Sequence, residues 1–178
     1  MKQTLYEKLD ELAKSDIYPF HMPGHKRQLQ DQQFGDTLKI DITEISSFDD
    51  LHEPEGILKE EQEFAAGLYG ADYTYYIVNG STCGILTAVS AVCRWGDTIV
   101  MARNCHKSAI NALVLSGAKP IFIKPDYDYN LEIANQPSIE AYIKAMDENP
   151  KAKAIFVINP TYFGAVLDLR RLVVEAHS

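Results

Sequence analysis

The stretch DTIVMARNCHKSAINALVLSGAKPIFIK, Asp97 to Lys124, decides the fold. Its first run, DTIVMA, and its last, KPIFIK, are short and apolar, and KSAINALVLSG between them carries apolar residues at helical spacing up to Gly117. A strand, a helix and a strand in that order make a parallel crossover, and strands apolar on both faces need helices above and below. The polar residues 103–108 then fall at the carboxyl end of the first strand, where open parallel sheets bind ligands.

The alternation continues in both directions. Upstream, ILKEEQEFAAGLYG reads as a helix with Ile57, Phe64 and Leu68 on one side, DYTYYIV as a strand, and CGILTAVSAVCRW, apolar nearly all round, as a buried helix. Downstream, SIEAYIKAM places Ile139, Tyr142, Ile143 and Met146 on one helical face, AIFVIN is a strand, and LDLRRLVVEAH is a helix. The fold class is therefore α/β, a predominantly parallel sheet with helices on both faces. Because the last segment is a helix where a further strand would come next, the sheet is expected to be incomplete.

Two regions are expected, residues 1–56 and residues 57–178. The first opens with a helix over TLYEKLDELAK, where Leu5, Leu9 and Leu12 form a stripe and Thr4 with Glu7 matches a capping box. About forty residues of little period follow, punctuated by Pro19, Pro23, Gly24, Pro54 and Gly56, and a connection that long is a functional loop system or a subunit-wrapping arm.

A chain of 178 residues holds one sizeable core. Its 17 basic and 25 acidic residues give a net charge of -8, with the basic ones scattered. Nucleic acid and membrane surfaces are thereby disfavoured as partners, leaving small molecules and other proteins. No apolar run reaches the ~20 residues of a membrane span, and the acidic, amphipathic start is unlike a signal peptide, so a cytoplasmic location is expected. Cys83, Cys93 and Cys105 lie in or beside apolar segments without CxxC spacing and read as buried free thiols. Pro23 and Gly24 keep His21 and His25 from a helical pairing, and no metal site is expected.

Chemistry should lie just past the strands. In YYIVNGSTCG, Gly80 lets an anion approach the backbone while Ser81 and Thr82 offer hydroxyls and N–H groups at a helix start, which suits either a phosphate or an ordinary helix cap. His106 could stack on a planar ligand or move protons, or be a hydrogen-bonded loop histidine. Lys107 becomes a Schiff-base lysine only if its surroundings lower its pKa, and is otherwise solvated. In INPTYFGAV, Asn159, Thr161 and Tyr162 precede Gly164, a pattern that turn chemistry alone would explain.

Taken in order, YPFHMPGHK, DITEISSFDDLHEPEGILKEEQ, IVNGSTCGI, RNCHKSAINALVLSGAKP and NPTYFG resemble the bacterial ornithine/lysine/arginine decarboxylases of the aspartate-aminotransferase fold, from Ile17 onward. The resemblance implies the large domain of a pyridoxal 5′-phosphate (PLP) enzyme, a cytoplasmic homo-oligomer that converts arginine, lysine or ornithine to the amine in polyamine metabolism. It assigns Gly80, Ser81 and Thr82 to a phosphate cradle, His106 to the pyridine face as the catalytic candidate, and Thr161 to the wall beneath the cofactor. His21, His25, Glu44 and Asp50 would pack near the site entrance or a partner subunit.

Family members carry the acid for the pyridine nitrogen in a DEAHG-like strand and the Schiff-base lysine in a later SxHK segment. Neither occurs in these 178 residues, and the EAH of LVVEAHS is not that motif. Lys107 is accordingly not expected to anchor the cofactor. The chain is expected to be truncated before the Schiff-base lysine, to hold PLP non-covalently at best, to be inactive alone, and to associate through uncovered apolar faces. The alternatives are a catalytically dead binding or assembly subunit, and another PLP enzyme such as an aminotransferase, against which HMPGHK argues.

Overall fold

The structure, a computed structural model, describes residues 3–28 and 34–178. Residues 29–33, inside the long connection, lie outside the described residues. The chain divides into two compact units, residues 1–76 and residues 77–178.

In the first unit α1 (Leu5–Lys14) starts at the capping box read from sequence: Glu7 donates its N–H to Thr4 Oγ1 at 3.2 Å, and Thr4 donates its own to Glu7 Oε2 at 2.8 Å. Leu12 is its buried residue. At its other end Arg27 donates from its guanidinium to Leu12 O at 2.6 Å and also to Ile17 O, closing the connection back onto the helix. A short 3₁₀ helix (Gly35–Lys39) lies in the same connection.

The second helix, α2 (Ile57–Tyr69), begins without a side-chain cap of its own, since Gly56 precedes it. Asp49 supplies the cap from seven residues upstream, accepting from Gly56 N–H at 2.8 Å and Leu58 N–H at 3.1 Å with Oδ2. Its Oδ1 accepts from Glu55 and Asp50 N–H at 2.9 and 3.0 Å. The face of α2 expected to be apolar is not the one buried. Gln62 and Ala66 are inside, while Phe64 and Leu68 are 64% and 70% exposed.

The second unit contains the sheet. Here α3 (Gly80–Val92), β1 (Thr98–Ala102), α4 (Lys107–Ser116) and β2 (Lys119–Ile123) follow in order. Then come a small antiparallel hairpin, β3 (Tyr127–Asp128) and β4 (Ile133–Ala134), and α5 (Ile139–Asp147), β5 (Ala154–Phe156) and α6 (Leu169–His177). The sheet order is β2-β1-β5 and both pairings are parallel, with Val100 opposite Ile121 on one side and Ile155 on the other.

The alternation of β1 divides the core. Ile99 and Met101 join Val89 of α3 and Ala109, Ala112 and Leu113 of α4 in one cluster. Val100 and Ala102 join Tyr142 and Ala145 of α5 and Leu172 of α6 in the other. Each fully buried aliphatic side chain contributes about 1.5–3 kcal/mol, so a five-residue strand buried on both faces anchors the whole layer arrangement. Helices therefore cover both faces, as the sequence pattern requires.

Two expectations fail here. Residues 72–78, read as a strand, form no regular element and join no ladder among the described residues, and Tyr73 and Tyr75 are 77% and 72% exposed. The helix read as buried, α3, has Val89 as its one buried residue, because α4 and β1 cover a single stripe of it. The thiols are free as expected, but only Cys93 is buried, Cys83 and Cys105 being half-exposed.

Candidate functional site

The ends of two helices set the geometry. Where α3 and α4 terminate, Gly96 N–H donates to Gly117 O at 3.0 Å and the Trp95 indole lies on Gly117, so closely that a Cβ there would come within 2.2 Å of it. Gly117 also has φ +70°, so this contact between helix ends requires glycine twice over. Both helices lead directly into the starts of strands, so both begin at the sheet's opposite, carboxyl end. Residues 157–164, after β5, run out at that end too. The topology thus brings Gly80, Ser81, Thr82, His106 and Thr161 to one end of one sheet.

At the start of α3, Asn79 takes a left-handed conformation, φ 66°, and its side chain makes no capping bond. Gly80 follows with φ +69°, and nothing lies within 4 Å of where its Cβ would be. The N–H groups of the first turn have no intrahelical acceptors. Ser81 and Thr82 are exposed, and their hydroxyls bond to no described residue. Every other α-helix is capped: α1 by Thr4, α4 by His106, α5 by Ser138, α6 by Asp168 and α2 by Asp49. Among the described residues, α3 is the one α-helix whose first-turn donors and positive dipole end stay open. A phosphate dianion fits this donor set of unpaired N–H and O–H groups, with no carboxylate capping it.

His106 is the N-cap of α4. Its Nδ1 accepts from Ser108 N–H at 3.1 Å and lies 2.8 Å from Ser108 Oγ, and Ser108 is 1% exposed. Because Nδ1 accepts a backbone N–H, the neutral ring carries its proton on Nε2. The ring itself is exposed, so a buried serine fixes its orientation while a face stays open. Beside it the Cys105 thiol is pushed up by burial and stays protonated. Arg103 holds its guanidinium over the Phe122 ring, 5.0 Å from its centre.

Thr161 is 5% exposed. Its N–H donates to Ala165 O at 2.9 Å, and its Oγ1 accepts from Ala165 N–H at 3.1 Å, so its hydroxyl proton remains for another acceptor. Lys107 is an exposed residue of the first turn of α4. In the first unit His25 Nε2 contacts Asp41 Oδ2 at 3.1 Å and His21 Nδ1 donates to Met22 O at 2.6 Å, so the two histidines have separate partners. Asp50 Oδ1 accepts from His52 N–H at 2.8 Å.

The sequence reading missed Asp49, Asn104 and Gln136. Asn104 donates to Asn135 O at 3.1 Å, and Gln136 donates to Ile158 O and Ala165 O. No local pattern marks them, because their partners lie 22 to 31 residues away for the two amides. The Asx-turn habit of aspartate was the one signal available for Asp49.

A family profile described as "Orn/Lys/Arg decarboxylase, major domain" matches residues 3–178. The arginine decarboxylase of Bacillus subtilis is 44% identical over 180 residues, covering 98% of this chain and 37% of that protein. The arginine decarboxylase of Bacillus anthracis is 43% identical, with 98% and 36% covered. Lysine decarboxylase A from Pseudomonas aeruginosa superposes with a TM-score of 0.74 at 26% identity over 89% of this chain and 24% of that one. The chain thus spans just over a third of the length of the Bacillus relatives. The architecture is that of the PLP-dependent, aspartate-aminotransferase-like large domain, present in part. Sheet, profile and relatives agree, and the chain belongs to the Orn/Lys/Arg decarboxylase family, matching its major domain.

Proposed function

We propose that this chain forms the cofactor-phosphate end of a PLP-dependent decarboxylase of basic amino acids, with arginine as the first substrate to test. The observation that carries the reading is the open N-terminus of α3 at Gly80, Ser81 and Thr82, in a molecule whose other described α-helices are all capped. Arginine takes precedence because the Bacillus relatives are named arginine decarboxylases.

Bound there, PLP supplies a ring that draws off the electron pair left by a departing carboxylate. The chain's own contribution is placement. First-turn N–H groups and the hydroxyls of Ser81 and Thr82 bind the phosphate, and the dipole of α3 stabilises its charge. The His106 ring, fixed through Nδ1, would offer a flat face to the pyridine while Nε2–H remains a donor. Thr161 would line the site beneath the cofactor, with a hydroxyl proton to give. Lys107 remains solvated, so the chain alone holds the cofactor without a covalent bond and releases no carbon dioxide from arginine, lysine or ornithine. In the cell it would work in the cytoplasm as a homo-oligomer, in polyamine metabolism.

Calorimetry with pyridoxine 5′-phosphate tests the reading, because that compound keeps the ring and phosphate but has no aldehyde to react with lysines. Binding is expected, with pyridoxine itself not binding. Equal affinity for pyridoxine would refute the phosphate cradle. After incubation with PLP and borohydride, mass spectrometry should find no stoichiometric label on Lys107, and such a label would overturn the non-covalent assignment.

A further inference from the structure

Gln136 lies two residues past β4 and is 7% exposed. Its Nε2 donates to Ile158 O, just beyond β5, and to Ala165 O at 3.4 Å. Both partners are carbonyl oxygens, which only accept, so the amide can face only one way, nitrogen toward them and Oε1 away. Oε1 finds no donor among the described residues. A buried acceptor left unsatisfied costs free energy that a methionine or leucine of similar size would avoid. An amide retained at that cost points to what its nitrogen holds.

The two carbonyls bracket residues 159–164, the loop that carries Thr161. Ala165, whose O accepts from Gln136, also accepts Thr161 N–H and donates its own N–H to Thr161 Oγ1. Gln136 is itself fixed. Asp126 N–H donates to its carbonyl at 3.5 Å, and Pro137 beside it is fully buried. Asn104, two residues before His106, donates to the carbonyl of neighbouring Asn135 at 3.1 Å. A continuous set of hydrogen bonds therefore runs from the segment carrying His106, through Asn135 and Gln136, to the turn carrying Thr161.

We propose that Gln136 is a positioning residue of the cofactor site, holding the Thr161 turn against the His106 segment without touching the ligand. This rests on the reading of the site as a PLP site. It differs from a merely structural role in what it should disturb: the wall against the ring, leaving the phosphate cradle at α3 intact.

The test compares pyridoxine 5′-phosphate with inorganic phosphate by calorimetry on the wild-type chain, Gln136→Met and Gln136→Glu. Both substitutions remove the two donated bonds, one with an apolar and one with an isosteric side chain. Each should weaken pyridoxine 5′-phosphate by about tenfold while leaving inorganic phosphate unchanged. Thr161→Val added to Gln136→Met should cost little more, since the two act through one turn. Amide hydrogen exchange should speed up at Gly164 and Ala165 but not at Val100 or Ile123. Wild-type affinity for pyridoxine 5′-phosphate in both variants would overturn the proposal, as would an equal loss for both ligands. A wild-type chain that bound neither ligand would refute the site reading, and this proposal with it, before any variant was compared.

Discussion

At His106 the ring nitrogen Nδ1 caps α4 while the rest of the ring faces solvent, and substitution can separate these two uses. Asparagine keeps a capping acceptor and lacks the ring, whereas alanine lacks both. His106→Asn is expected to melt close to wild type, and His106→Ala to lose about 1 kcal/mol, measured by thermal unfolding. Both should weaken pyridoxine 5′-phosphate, and unchanged affinity in His106→Asn would remove the ring from the site. At Tyr142 the side chain is fully buried, its hydroxyl has no partner among the described residues, and burial pushes its pKa up to about 12. Tyr142→Phe should therefore stabilise the fold by about 1 kcal/mol. A lower melting temperature in that variant would show that the hydroxyl has a partner in solution. Sequence alone placed Gly80, Ser81, Thr82 and His106 just past apolar runs, because ligand-facing positions follow from where strands stop. It could not show that His106 caps its own helix, or that Gln136 reaches Ile158 and Ala165, since those contacts exist only once β4 and β5 are brought together.

At the scale of elements, β1, α4 and β2 were legible because each has a single period and a clear stop, and α5 because Ile139 and Tyr142 recur at helical spacing and are buried. Residues 72–78 have the aromatic and β-branched composition of a strand, but a strand is defined by a neighbour's N–H and C=O groups, which composition does not reveal. The cap of α2 was illegible for a similar reason, since Asp49 reaches it across a loop. Four backbone N–H groups, that of Glu55 foremost, hold the Asp49 carboxyl down to about 2. A carboxyl depressed in the folded state adds stability that is present above its ordinary value of 3.8 and lost as pH falls from about 4 to about 2. Asp49→Asn should melt lower than wild type near neutral pH and show a shallower loss on acidification across that window, followed by far-UV circular dichroism. Parallel melting curves for the two proteins would deny the carboxylate its capping role.

At the scale of the molecule, the described surface carries many large apolar side chains, among them Phe20 at 90%, Trp95 at 87% and Tyr162 at 96% exposure. Apolar surface on this scale marks interaction sites. Sedimentation at micromolar concentration is expected to show a dimer or larger species, and a monodisperse monomer would contradict the proposed homo-oligomer. The central claim, that the uncapped start of α3 receives the cofactor's phosphate, is tested most directly by recording backbone amide spectra of the isotope-labelled chain during titration with pyridoxine 5′-phosphate. The Gly80, Ser81 and Thr82 signals should move furthest, followed by the backbone amide of His106. Shifts confined to other helix termini, or no shifts at saturating ligand, would contradict it.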